Sequence, residues 1–113
     1  MIWRFSSCPG SWGIEDAKDP DNTPWAIVLD QIKKTGFKAL ELGPYGYLPD
    51  DTDLLTQELT MRDLQIVAGT LYDDLVSEEA FERIVEKTHK TCKILYSIPV
   101  SSPIENQKKL PPY

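Results

Sequence analysis

Cysteine and histidine are the scarcest reactive residues in this chain of 113, with two of the first and one of the second. Cys8 and Cys92 stand far apart, in no Cys-x-x-Cys pair and with no histidine at metal-ligand spacing. They read as two isolated thiols in a reducing compartment rather than as a disulfide or a zinc site. His89 falls among Lys87, Lys90 and Lys93 in a helical stretch, and one histidine cannot build a His-rich metal cluster. Apolar runs of membrane-spanning length are missing. The first residues, Met1-Ile-Trp-Arg-Phe5, lack the basic region and long apolar core of a signal peptide. A cytoplasmic location with no membrane partner is the resulting expectation. Cations are also in short supply: twelve Lys+Arg against eighteen Asp+Glu give a net charge of -6. Affinity for nucleic acid comes largely from clustered cations that release counterions, so no nucleic-acid partner is expected. The basic doublets Lys33-Lys34 and Lys108-Lys109 read as solvated surface.

What is present suits one small globular domain: 41% hydrophobic residues and a length that can bury a single core. Trp3 to Cys8 reads as a first strand, broken by Pro9-Gly-Ser-Trp-Gly13 into a long polar loop that runs through Asp16, Asp19, Asp21 and Asn22. Loops of that length are often functional. Thr23 is placed to cap a helix with Pro24 at its first position. Trp25, Val28, Leu29 and Ile32 then give it one apolar face, and Gly36 ends it. A second helix, capped by Asp51 or Thr52, carries Leu54, Leu55 and Leu59 and runs to about Asp63. Leu64 to Leu71 reads as a third strand. Ser77 caps a third helix, with Glu78 and Glu79 in its first turn and a buried stripe of Phe81, Ile84, Val85, Thr88, Cys92 and Leu95. The stretch Ile94 to Pro103 offers a poor fourth strand, because Pro99 and Pro103 cannot serve a sheet interior. The tail from Ile104 ends in Leu-Pro-Pro-Tyr113, which reads as loosely held chain more readily than as a polyproline ligand.

Between the first two helices lies Lys38-Ala-Leu-Glu-Leu-Gly-Pro-Tyr-Gly-Tyr47, an apolar run stopped by glycine and proline. It reads as a buried parallel strand. Its one acid, Glu41, needs a reason, since a carboxylate buried in a sheet is costly unless paired. Either Glu41 is a site residue, or it lies at the wet end of the strand and pairs with a cation such as Lys38. Strand and helix alternate throughout, so the fold class is α/β with parallel βαβαβα units and right-handed crossovers. Sites in such folds lie at the C-terminal ends of the strands.

Four segments together carry a resemblance: Ser6-Ser-Cys-Pro-Gly-Ser-Trp-Gly13, Thr23-Pro-Trp25, Gly36-Phe-Lys-Ala-Leu-Glu-Leu-Gly-Pro-Tyr-Gly-Tyr-Leu-Pro49 and Val67-Ala-Gly-Thr-Leu71. From roughly Phe5 to Leu95 the chain resembles the start of a sugar phosphate isomerase/epimerase, within the xylose-isomerase-like superfamily and nearest its myo-inosose dehydratase group. That resemblance implies a TIM (β/α)8 barrel, of which residues 1–95 would be an incomplete first part and residues 96–113 a divergent, loosely ordered tail. It further implies a divalent metal, Mn, Co, Mg or Zn, held by Glu, Asp, His and Glu on later strands. Carboxylates would act as acid and base in a proton shift or dehydration on a sugar or cyclitol. A whole barrel takes about 250 residues. No residue here matches those ligands, so no catalytic residue, metal ligand or cofactor is assigned to this chain, and by itself it is expected to be inactive. What the resemblance leaves is a substrate-facing wall: Trp12 in the first loop, Glu41 at the end of the second strand, Tyr45 and Tyr47 after it, and Thr70 at the end of the third. Each has a plainer reading: Trp12 as a cover, the tyrosines as loop packing, Thr70 as a strand end. The competing function is a non-catalytic binding module or half-barrel that self-assembles into a homo-oligomer through open sheet edges.

Overall fold

Alternation along one central strand decides how the sheet faces. Leu40 and Leu42 are buried, while Glu41 between them is half-buried on the opposite side. The computed structural model describes residues 5–98. Its elements in order are β1 (Ser6–Ser7), a 3-10 turn (Pro9–Trp12), α1 (Trp25–Lys34), β2 (Ala39–Glu41), α2 (Thr52–Met61), β3 (Gln65–Ala68) and α3 (Glu78–Ser97). The strands form one parallel sheet in the order β1-β2-β3. This is a small α/β domain of three βα units, as the alternation predicts. The strands are shorter than the apolar runs that announce them. Of the run beginning at Trp3, only Ser6 and Ser7 pair; Trp3 and Arg4 lie outside the described residues.

The core gathers Leu40 and Leu42 of β2 with Val28, Leu29 and Ile32 of α1, and Leu55 and Leu59 of α2. Each fully buried leucine contributes about 1.5–3 kcal/mol relative to exposure. Arg62 fastens the two helices from outside, donating to Asp30 of α1 at 2.7 Å and to Glu58 of α2.

Helix ends depart from expectation in detail. Pro24 is itself the N-cap of α1, without a side-chain cap, and Thr23 uses its carbonyl elsewhere. Asp51 caps α2, its Oδ1 accepting from the amides of Asp53 and Leu54. That helix stops at Met61 because Asp63 takes a left-handed φ of 52°. Leu54 is exposed, so the buried face of α2 rests on Leu55 and Leu59. Ser77 is the N-cap of α3 by position, yet its hydroxyl caps nothing.

Two corrections concern α3. Ile94 to Ser97 belong to this helix and not to a fourth strand; Pro99 to Pro103 lie outside the described residues. The buried face is Ala80, Thr91 and Ile94, whereas Phe81 is 65% exposed and Val85 37%. The expected stripe lies about one residue further round the helix than the face that packs. In its second half α3 meets the strands' C-terminal ends: Ile94 joins the core cluster, and Gly69, just past β3, lies under Thr91 and Leu95.

Gly43, at the end of β2, combines a φ of +74° with close approach to the first loop. A β-carbon there would come within 2.8 Å of Pro9 Cγ. Gly43→Ala is therefore expected to destabilise by about 2–4 kcal/mol, backbone strain added to a clash. Gly13→Ala, with φ +79° in open space, is expected to cost only about 1–2 kcal/mol. Urea titration of the two variants checks the order. Thr91 Oγ1 is buried without a hydrogen-bond partner among the described residues. Thr91→Val is thus expected to raise stability by about 1 kcal/mol in the same titration, unlike an ordinary core change.

Candidate functional site

Glu41 is the last residue of β2, and its position is set by an irregularity in the sheet. Leu40 pairs with Ile66 but Glu41 with Ala68, so Val67 is skipped. The ladder recovers where the Leu42 amide donates to the Ala68 carbonyl at 2.8 Å. Bulges of this kind re-aim the side chains beside them. Here the result is that Thr70, two residues past β3, reaches across, and its Oγ1 donates to Glu41 Oε2 at 3.3 Å. That is long beside the roughly 2.5–2.7 Å of a strong hydroxyl–carboxylate bond. The contact with Thr70 thus spends little of the acceptor capacity of Glu41. The plain alternative, a pair with Lys38, is not what forms: Lys38 Nζ lies 3.4 Å from Asp63.

The other expected site residues go to three different places. The Trp12 Nε1 donates to Gln31 Oε1 at 2.6 Å, which ties the first loop to α1. Tyr47 is buried in the core, its hydroxyl donating to the Thr23 carbonyl at 2.5 Å, and burial raises its pKa. Tyr45 is half-buried, with Lys90 Nζ 5.9 Å from its ring centroid. It lines a groove of about 410 Å³ with Asp50, Asp51, Thr52, Lys90, Lys93, Ile94 and Ser97. Glu41 and Thr70 thus come together, Tyr45 stands in a neighbouring groove, and Trp12 and Tyr47 brace the first loop.

A third polar group was not anticipated. Asp73, in the loop after β3, accepts from Arg83 Nη2 at 2.6 Å and from Lys87 Nζ at 3.0 Å. The sequence does hold a signal for it, since Arg83 and Lys87 are four residues apart on one helix behind an Asp-Asp pair. The Arg83 hydrogen bond, helped by Lys87, holds the Asp73 carboxyl far below the usual range. The clamp fastens the loop that carries Thr70 to α3.

Among the described residues no group of three or more His, Cys, Asp or Glu side chains is placed to hold a metal ion. One carboxylate and one hydroxyl do not fit a divalent cation, which takes four or more donors. Cys8 and Cys92 are both free thiols. No described helix is long and apolar enough to cross a membrane. Comparison with protein-family models, with characterised proteins and with solved structures finds no match to this chain.

The Asp73 clamp makes stability depend on pH. In the unfolded chain the carboxyl protonates near its ordinary 3.8; in the folded chain it holds off to lower pH. Its stabilisation is complete above about pH 5 and is lost progressively as pH falls below about 4. Thermal midpoints measured down to about pH 2.5 are expected to fall more steeply for the wild type than for Asp73→Asn, and high salt is expected to shrink the difference. Parallel acid slopes would show that the clamp does not bear on stability.

Proposed function

We propose that this chain supplies a polyol-binding wall of a carbohydrate-processing α/β barrel of the sugar phosphate isomerase/epimerase kind, with Glu41 and Thr70 as its polar contacts. The observation behind this reading is their pairing at the C-terminal ends of adjacent parallel strands, where sites of α/β folds lie. A half-buried carboxylate whose bond to Thr70 is long is a ready acceptor for the hydroxyls of a sugar or cyclitol. On this reading proton transfer and the divalent metal are assigned to no residue of this chain. Glu41 binds and orients, and no reaction step is assigned to it. A cytoplasmic location belongs to the same proposal.

A non-catalytic assembling module is the second reading. It is favoured by the exposed edge of β3, where Val67 is 53% exposed. Free strand edges are templates for pairing.

Titration with myo-inositol and with a ketose phosphate, followed by amide NMR, separates the two. Shifts are expected at Leu42, Gly69 and Thr70. Affinity is expected to fall about 10-fold or more in Glu41→Gln, the scale of a hydrogen bond to a charged group. Saturating ligand with no shift at these amides would sink the carbohydrate reading.

A further inference from the structure

One residue on the half-exposed face of the sheet belongs neither to the core nor to the Glu41 and Thr70 pair. Ser7 of β1 pairs with Leu40 of β2. The next residue, Cys8, keeps an extended backbone, with φ -148° and ψ 153°, so the alternation of the strand runs on through it. Burial follows the same beat in both chains. Cys8 is half-buried with a buried Pro9 after it, and Glu41 is half-buried with a buried Leu42 after it. The two chains stay side by side past this point, since a β-carbon on Gly43 would come within 2.8 Å of Pro9 Cγ. Cys8 therefore stands beside Glu41, on the same face and one strand over.

On the other side of Glu41 is Thr70, whose Oγ1 reaches Glu41 Oε2 at 3.3 Å. With adjacent strands about 4.8 Å apart, Cys8, Glu41 and Thr70 make a row roughly 10 Å long across the C-terminal ends of β1, β2 and β3. The 3-10 turn holds the thiol in place, Cys8 Sγ and Ser11 Oγ sharing a hydrogen bond at 3.7 Å. The chemistry of the row is uneven. A carboxylate and a hydroxyl serve the hydroxyls of a ligand, but a thiol is a weak donor and acceptor and behaves as a small apolar group. A ligand hydroxyl set over Cys8 gives up water and receives little in return, whereas a C–H edge loses nothing there.

We propose that Cys8 is the third contact of the Glu41 and Thr70 wall and its selective one, receiving a hydroxyl-free edge of the ligand while Glu41 and Thr70 take hydroxyls. The proposal rests on the carbohydrate reading. It adds an orientation, with the polyol lying across the three strands, and a preference for a polyol that lacks one hydroxyl at its β1 end.

The test is amide NMR titration of the full chain with myo-inositol and with its monodeoxy analogues. Shifts are expected at Cys8 and Ser11 together with those at Leu42, Gly69 and Thr70. One monodeoxy analogue is expected to bind about 3–10-fold more tightly than myo-inositol, and Cys8→Ser is expected to cancel or reverse that preference. Cys8→Leu, which fills the position, is expected to weaken every ligand about 10-fold or more while circular dichroism stays unchanged. The unmutated chain supplies a second measurement: bound ligand is expected to slow alkylation of Cys8 by iodoacetamide about 5-fold or more and to leave Cys92 unaffected. Shifts at Leu42, Gly69 and Thr70 without protection of Cys8 would overturn this proposal and leave the carbohydrate reading standing. So would an equal preference in the wild type and Cys8→Ser. No shift at any of these amides would overturn both.

Discussion

A parallel sheet has two faces to cover, and a chain of this length carries few helices with which to cover them. Leu40 and Leu42 of β2 commit one face to α1 and α2, and that single commitment fixes most of the rest. Because side chains alternate along a strand, burying those leucines turns Glu41 to the other side. There the neighbours are not a helix layer but the end of β3, with Val67 half-exposed and Thr70 within reach. Half-burial leaves the Glu41 carboxylate in reach of water, which makes its long bond to Thr70 tolerable. The same openness gives it the capacity to accept from a ligand.

Much of this was legible in the sequence, and the parts that were not share a cause. Periodicity located all three helices; the apolar run that continues to Leu42 marked β2, and the placing of Glu41 at its end came with the resemblance. The phase of α3 was not available from periodicity. Ala80, Ile84, Thr91 and Ile94 form one plausible buried face, and Phe81, Val85, Cys92 and Leu95 form another beside it. Together they make an apolar arc wider than one packing surface. Gly69 draws on both, its missing side chain admitting Thr91 of the first set and Leu95 of the second. Tertiary partners at long separation were equally hidden. Tyr47 is held by a carbonyl 24 residues earlier, and Lys38 finds Asp63 across 25 residues. No local pattern names either partner. Tyr47 packs against the first loop, as its plainer reading had it, whereas the plainer reading of Glu41, a pair with Lys38, is not what forms.

Electrostatics link the two ends of this arrangement. The loop after β3 carries Thr70 toward Glu41 and then Asp73 toward Arg83 and Lys87. Surface ion pairs are individually worth about 0–1 kcal/mol, too little to hold a fold. A carboxylate shared by two cations four residues apart nevertheless restricts where a nine-residue loop can go. The position of Thr70 therefore depends on where α3 sits, and α3 meets the strand ends through Thr91 and Leu95 over Gly69 and through Ile94 in the core. One of these, Thr91, buries a hydroxyl without a partner, which weakens that attachment.

It follows that the reach of Thr70 toward Glu41 is set at a distance, by how α3 sits on the strand ends. Gly69 lets Thr91 and Leu95 approach the end of β3, and the Asp73 clamp ties the residues that follow to Arg83 and Lys87. A ligand that bridged Glu41 and Thr70 would bind only the arrangement in which both are in place. By linkage it would stabilise the seating of α3 by as much as that seating favours the ligand. The coupling needs no conformational switch; it requires only that one loop be fastened at one end to a sheet and at the other to a helix.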